Sequence, residues 1–183
     1  MDFGHDTECA LATVVEVVNT APGPGSDEGL PDVAALQALV ERQAVSDTGQ
    51  LGADDLAAVR RLRDRLRAVF VAEDEKTAVR LVNDLIADAR TTPRLTDHDG
   101  WPLHIHYYAP GSRLAEHLAA DGGMALAFVI AAGERQRLAT CAAPDCERVL
   151  VDLSRNRSKR YCDSRTCGNR LHVAAYRARQ RTG

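Results

Sequence analysis

Residues 141–167 have the sequence CAAPDCERVLVDLSRNRSKRYCDSRTC, and this stretch decides how the C-terminal part of the 183-residue chain folds. It holds four of the five cysteines, in two pairs with four residues inside each pair: Cys141, Cys146, Cys162 and Cys167. Two short loops of this kind can bring four thiolates to about 2.3 Å from one Zn²⁺. Four cysteines without a ligating His, Asp or Glu are typical of a closed, structural site. The spacing therefore predicts one structural Zn²⁺; disulfide bonds are the alternative, which a cytosolic compartment disfavours.

The segment around the cysteines predicts a small, metal-dependent fold. Residues 148–152 and 159–162 can form two strands closed by the polar turn at 154–158, and the last cysteine opens a helix over about 168–181. This order of knuckle, hairpin and ligand-bearing helix resembles a treble clef. Residues 135–183 are too few to bury much of a core, so the metal should contribute most of their stability, on the order of 10 kcal/mol.

The rest of the chain, residues 1–134, predicts a mainly helical domain. Aromatic residues make up only 4% of the chain, while Ala, Leu, Val and Arg are abundant, which favours helices. Apolar residues at helical spacing predict helices over four segments: 32–44, 54–70, 75–89 and 112–132. Ser112 is the predicted N-cap of the last helix, and Gly122 and Gly123 should weaken its middle. The apolar run 11–19 fits a buried helix or a strand, and we favour a helix.

A short β-hairpin is predicted within this domain. Residues 101–108 alternate between the two faces of a strand, and 94–95 supply the partner strand across an Asp-Gly turn. His104 and His106 share one face and could bind a metal or another ligand. No third ligand stands at a suggestive spacing, however, and a half-exposed strand accepts histidines without a function. Cys9 is predicted to be a small buried apolar side chain, with a redox role as the alternative. The predicted class is therefore α+β, a mostly helical domain with a small hairpin followed by a treble-clef-like zinc finger.

Charge is distributed unevenly along the chain. Residues 141–183 contain ten basic and four acidic side chains, whereas the remaining residues carry a net negative charge. This split indicates an anion-binding segment on an acidic body; attraction between the two halves is the alternative. The candidate nucleic-acid contacts belong to the polar turn and the final helix: Arg155, Arg157, Lys159, Arg160, Asn169, Arg170, Arg177 and Arg181. DNA is the predicted partner and RNA the alternative, although Asn169 and Arg170 could instead fix the start of the helix.

Other classes of protein are disfavoured by what the sequence lacks. The N-terminus has no basic start followed by an apolar run, and the longest apolar run, 124–132, is too short to cross a bilayer. We therefore expect a cytoplasmic protein that does not bind membranes. No Gly-rich phosphate loop, nucleophile elbow or helical His-Glu metal motif occurs in residues 1–134, so we expect a binding protein and not an enzyme.

Two motifs carry a resemblance to a known family. Residues 167–170 spell CGNR, and with RYC at 160–162 and the trailing arginines they resemble the CGNR zinc finger. The segment 11–20, which ends in VNT at 18–20, resembles the start of the ABATE domain that precedes this finger in bacterial proteins. Members often carry an aromatic residue shortly before the aspartate matched by Asp152, where this chain has Val-Leu-Val.

The resemblance implies a bacterial, stress-induced transcriptional regulator. Its finger would bind DNA, and its N-terminal domain would sense a small-molecule signal, form homo-oligomers or contact other proteins. The alternatives are an RNA-binding or ribosome-associated zinc module and, as a third class, an enzyme housed in the N-terminal domain.

Overall fold

The computed structural model of the chain describes residues 3–97, 103–169 and 180. Within these residues five α-helices and two pairs of short antiparallel strands follow one another: α1 His5–Asn19, α2 Val33–Arg42, α3 Ala53–Phe70, α4 Glu75–Asp88, β1 Arg94–Thr96, β2 His104–His106, α5 Leu114–Ala131, β3 Leu138–Thr140 and β4 Val149–Val151. A 3₁₀ turn (Arg135–Arg137) precedes β3, and a π-helical turn (Ser164–Gly168) carries the last cysteine. This order confirms the predicted α+β class and the helix at 11–19.

The helices begin where short acidic side chains can satisfy free backbone N–H groups. Asp32 and Asp74 each accept a hydrogen bond from the N–H group three residues further on, at 2.8 and 2.7 Å. The predicted cap of α5 is wrong, because this helix begins after Arg113 and not after Ser112. The Arg113 N–H donates instead to the carboxylate of Glu116 at 3.0 Å, which satisfies the first turn without a serine.

Helix α5 lies at the centre of the helical body and packs against both α1 and α4. A Cβ atom added to Gly122 would lie 2.6 Å from Cγ2 of Val14, and one added to Gly123 would lie 3.0 Å from Cγ1 of Ile86. The two glycines therefore allow a close approach of three helices, which offsets their low helix propensity. Among the described helices, α5 is the one long and apolar enough to cross a membrane, but more than half of it is buried inside the protein.

The hairpin of β1 and β2 forms as predicted, and its two faces differ in exposure. Arg94 pairs with His106 and Leu95 with Ile105. His106 is buried, whereas Leu95 and Ile105 are 67% and 44% exposed. The histidine-bearing face of the strand therefore points into the body.

The predicted pairing of residues 148–152 with residues 159–162 is wrong. β4 pairs with β3, in the register Leu138 with Val151, and residues 159–162 form no strand. The carboxylate of Asp152 explains the difference, because it accepts hydrogen bonds from the N–H groups of Ser154 and Lys159, each at 2.9 Å. The chain after β4 is thereby held in a turn and does not run back along the strand.

The sheet of β3 and β4 packs on the helices. Leu138, Val149 and Val151 are buried in the same apolar core as the helical body. The side-chain amide of Asn19, at the end of α1, donates to the Val149 carbonyl at 2.9 Å and accepts from the Val149 N–H at 2.8 Å. The division of the chain at 134/135 stays a prediction, since this half of the finger shares its core with the helices.

Candidate metal centre and nucleic-acid interface

Two loops and one helical turn bring the four cysteines together. Cys141 directly follows β3, and the Cys146 N–H donates to the Ala143 carbonyl at 3.1 Å, which closes the first loop. Cys167 lies in the π-helical turn, where the Gly168 N–H donates to the Asp163 carbonyl at 3.0 Å. The Asp163 carboxylate also accepts hydrogen bonds from the N–H groups of Arg165 and Thr166, at 2.7 and 2.8 Å, which fixes the second loop. We name these four residues, Cys141, Cys146, Cys162 and Cys167, the cysteine cluster.

The geometry of the cysteine cluster fits a tetrahedral zinc ion. All four Sγ atoms lie within 4.8 Å of one another, and Cys162 Sγ lies 3.7 Å from both Cys146 Sγ and Cys167 Sγ. Four sulfurs at 2.3 Å from one Zn²⁺ would be about 3.8 Å apart. Together with the absence of other ligand types in the set, this identifies one structural zinc site and confirms the predicted cofactor.

Burial and hydrogen bonding shift the pKa values of two thiols in the cysteine cluster in opposite directions. Burial opposes ionisation of the Cys141 thiol, but N–H groups of Ala143 and Cys162 donate to its sulfur and hold its pKa below the usual value. Burial, together with the neighbouring thiols, raises the pKa of Cys162. Because thiolates are the metal-binding form, zinc would have to displace the proton of Cys162 and would release it on binding.

Among the described residues, little besides the metal could hold this part of the chain. The apolar cluster around the cysteines contains three buried residues in the described segment, Cys141, Ala143 and Cys167, with Tyr161 packed against it. Such a small core cannot offset the entropy of ordering two loops. We therefore expect the zinc to contribute most of the stability of this segment, on the order of 10 kcal/mol.

Four basic side chains in and just after the polar turn are exposed: Arg155, Arg157, Lys159 and Arg160. Among the described residues, the guanidinium groups of Arg155 and Arg160 have no hydrogen bond or ion pair. Lys159 Nζ makes one long contact, 3.4 Å, to the Val151 carbonyl. Arg155, Lys159 and Arg160 are therefore available to an anion in solvent.

Arg157 differs from its neighbours in the turn. Its Nη2 lies 2.6 Å from Oε1 of Glu134, whose other oxygen lies 2.8 Å from Nε of Arg137. Although burial opposes ionisation of Glu134, these two arginines hold its pKa below the usual value. Arg137 is 4% exposed and donates to the carbonyls of Asp152 and Ser154. These hydrogen bonds brace the turn on its buried side. The bracing role of Glu134 is not evident from the sequence, because it depends on a contact 23 residues away.

The remaining predicted contacts lie near or beyond the end of the described segment. Asn169 is exposed one residue after the π-helical turn. The predicted helix over 168–181 falls mostly outside the described residues, and so do Arg170, Arg177 and Arg181.

A second group of metal-binding side chains lies in the helical body. His106 on β2 and His117 and Asp121 on α5 place their ligand atoms within 4.8 Å of one another. We name these three residues the histidine cluster. Strand alternation indicates His104 and His106 as candidate ligands but not His117 and Asp121. The signal for this second pair is its spacing, four residues apart on one face of a helix.

The histidine cluster lines a cavity of about 530 Å³, which also contains Cys9. The expectation that Cys9 is buried is wrong, since its side chain is exposed on α1 and lies 3.5 Å from His5 Nε2. It sits off the face of α1 that buries Leu11 and Val14.

Four cysteines on two loops, beside a helical body that shares its core with the adjoining sheet, define the chain as a small zinc-finger protein. Residues 137–180 match the family model of the CGNR zinc finger. Residues 11–143 match the ABATE family model, described as "Putative stress-induced transcription regulator". This second match covers most of the chain, which therefore belongs to the ABATE family and carries a CGNR zinc finger. No curated protein matches the chain.

Proposed function

We propose that the chain is a bacterial DNA-binding transcriptional regulator whose zinc finger contacts the phosphate backbone. The observation that carries this proposal is the row of exposed cations, Arg155, Lys159 and Arg160, beside the cysteine cluster. A zinc site makes such a turn rigid, and neutralising phosphates with rigidly placed cations is the main source of affinity for nucleic acid.

Three of the four acidic residues in 141–183 are engaged elsewhere. Glu147 is directed to the body, where its carboxylate lies 3.6 Å from Arg67. The carboxylates of Asp152 and Asp163 accept hydrogen bonds from backbone N–H groups of their own loops. The local excess of positive charge therefore supports binding to a polyanion, in agreement with the ABATE family's description as regulators.

The helical body would then serve as the regulatory part. Its net negative charge makes it a poor partner for nucleic acid, which leaves the finger as the DNA-binding surface. The cavity between α1, β2 and α5 offers a place for a small-molecule signal, and such a regulator would act in the cytoplasm, where the DNA is.

A competition experiment tests the choice of partner. Zinc-loaded full-length protein is bound to a labelled pool of random-sequence duplex DNA, and unlabelled duplex DNA or single-stranded RNA is added. We expect duplex DNA to displace the label at the lower concentration. Stronger competition by RNA would favour the RNA-binding module, and no binding to either would contradict both.

A matched pair of variants shows whether the finger is responsible. Arg160→Ala removes an exposed cation of the turn, and Arg61→Ala removes an exposed cation of α3 in the body. We expect weaker DNA binding only for Arg160→Ala, with the zinc content of both variants unchanged. Equal effects of the two substitutions would show that general charge, and not the finger, attracts the DNA.

A further inference from the structure

All four histidines in the part of the chain that the structure describes line one cavity: His5, His104, His106 and His117. The cavity also receives Asp121 from α5, and the remaining lining is largely apolar, including Val14, Leu66 and Phe128. Imidazole and carboxylate groups gathered on an apolar wall are the pattern of a ligand or metal site.

We propose that His106, His117 and Asp121, the histidine cluster, bind a divalent transition-metal ion at the wall of this cavity. The site is separate from the cysteine cluster and does not depend on the proposed binding of DNA.

The distances in the histidine cluster suit a shared ion. His117 Nε2 lies 3.2 Å from Asp121 Oδ2. Two ligands at about 2.1 Å from one metal are about 3.0 Å apart at an octahedral angle and about 3.4 Å apart at a tetrahedral one. His106 completes the set from the neighbouring strand, with every ligand atom of the three residues within 4.8 Å of the others. A small shift of β2 toward α5 would therefore let His106 bind the same ion as His117 and Asp121.

The surrounding residues hold the ligands in orientation. The second carboxylate oxygen of Asp121 accepts a hydrogen bond from the Tyr107 N–H at 3.0 Å. The ring of His117 stacks on Tyr108, with 3.5 Å between the ring centroids, and His106 Nε2 lies 2.8 Å from His104 Nε2. Carboxylates and histidines that bind metals are usually fixed by such outer contacts, which tune their affinity.

The ligand types select a class of metal. Two imidazoles and one carboxylate suit Zn²⁺, Ni²⁺, Co²⁺ or Fe²⁺ better than Ca²⁺ or Mg²⁺, which prefer sets of oxygen ligands. Three protein ligands also leave at least one coordination position open, and the cavity of about 530 Å³ provides access to it. The cysteine cluster is closed by comparison, since its four thiolates complete a tetrahedron.

The test uses untagged full-length protein that already holds one zinc in the cysteine cluster. Ni²⁺ is added in a calorimetric titration, and zinc and nickel are counted after desalting. We expect one nickel to bind while one zinc is retained. Co²⁺ at the same site should give d–d absorption without the sulfur-to-cobalt charge-transfer band that the cysteine cluster would produce.

Three variants assign the site. Asp121→Asn keeps an oxygen that can accept from the Tyr107 N–H but loses the carboxylate charge, and His117→Gln removes an imidazole. We expect each to weaken nickel binding at least tenfold, since even the loss of an outer contact to a metal ligand costs about 10- to 100-fold. His5→Ala is the matched control, because His5 lines the same cavity outside the cluster.

The proposal is overturned if the wild-type chain binds no metal beyond the one zinc. It is also overturned if Asp121→Asn, with unchanged helical circular dichroism, binds nickel as tightly as the wild type. A loss of nickel binding in His5→Ala equal to that in Asp121→Asn would assign the metal elsewhere in the cavity and would contradict the cluster proposed.

Discussion

The cysteine cluster and the histidine cluster differ in what holds their ligands in place. The first collects four ligands from residues 141–167, with few buried residues around them in the part of the chain that the structure describes. The second collects its ligands from β2 and α5, against a body whose core is extensive. A metal is thus a structural requirement for the cysteine cluster, whereas the histidine cluster is already positioned by the packing of the helices.

Removal of the zinc is the strongest test of this difference. Chelation, or the substitution Cys162→Ser, should unfold the loops that carry the cysteines, at a cost on the order of 10 kcal/mol. The five helices should remain folded, since their buried faces pack on one another. Circular dichroism and calorimetry, with and without a chelator, would measure both effects. Loss of the helical signal in the same step would show that the helical body depends on the zinc as well.

A change at Gly122 should lower the stability of the helical body and leave the cysteine cluster intact. Alanine in place of a helical glycine usually stabilises by about 1 kcal/mol. At Gly122 the added Cβ would meet Val14 Cγ2 at 2.6 Å, so we expect Gly122→Ala to destabilise by about 1 to 3 kcal/mol. Urea unfolding followed by circular dichroism would give the value, and the zinc content should not change.

The double variant Gly122→Ala/Val14→Ala is the control for this prediction. Shortening Val14 removes the clashing methyl groups, so the cost of Gly122→Ala should be smaller in that background. An equal cost in both backgrounds would show that the contact between α1 and α5 is not the cause.

Acid should affect the two regions through different groups. In the cysteine cluster it protonates thiolates, and in the body it protonates Glu28, whose pKa is lowered by the hydrogen bond from Arg63. Because the folded-state pKa is the lower one, the contribution of Glu28 is present above its ordinary pKa of 4.5 and is lost as the pH falls through the folded value. Glu28→Gln should therefore cost about 1 kcal/mol at pH 7, and the difference from wild type should shrink as the pH falls below 4.5. Urea unfolding at several pH values would measure it; a difference independent of pH would contradict the assignment.

The sequence allows good predictions wherever the relevant residues are neighbours along the chain. The spacing of the cysteines identifies the zinc site, because the two loops are local and the ligand chemistry is specific. The helices follow from apolar periodicity, and even the uncertain segment 11–19 forms part of α1. The hairpin of β1 and β2 follows from alternation and a turn signal.

Features that depend on contacts between distant segments could not be predicted in this way. The partner of β4 is β3 and not 159–162, because Leu138 is buried against the helices and Asp152 turns the chain away. The spacing of His117 and Asp121 in the sequence shows that they share one helix face. Their proximity to His106, however, requires the histidine-bearing face of the hairpin to point into the body. The packing role of Gly122 likewise appears only when α1 lies against α5.

The smallest effects on stability are expected in the polar turn beside the cysteine cluster, where Arg155 and Arg157 form a matched pair. Arg157→Ala breaks an ion pair with Glu134, which is 8% exposed, and should lower the melting temperature measurably. Arg155→Ala removes an exposed side chain without a described partner, so stability should change by less than about 0.5 kcal/mol. Equal melting temperatures of the two variants would contradict the bracing role of Arg157.

The salt dependence of DNA binding by Arg155→Ala tests the central claim, that the zinc finger presents a basic surface to the phosphate backbone. If five candidate side chains, Arg155, Lys159, Arg160, Arg177 and Arg181, each neutralise one phosphate, the logarithm of the binding constant should fall with the logarithm of salt concentration at a slope of about −4 to −5. Arg155→Ala should flatten that slope by about 0.9, with zinc content and melting temperature unchanged. Binding that does not depend on salt, or a slope that Arg155→Ala leaves unaltered, would contradict the claim.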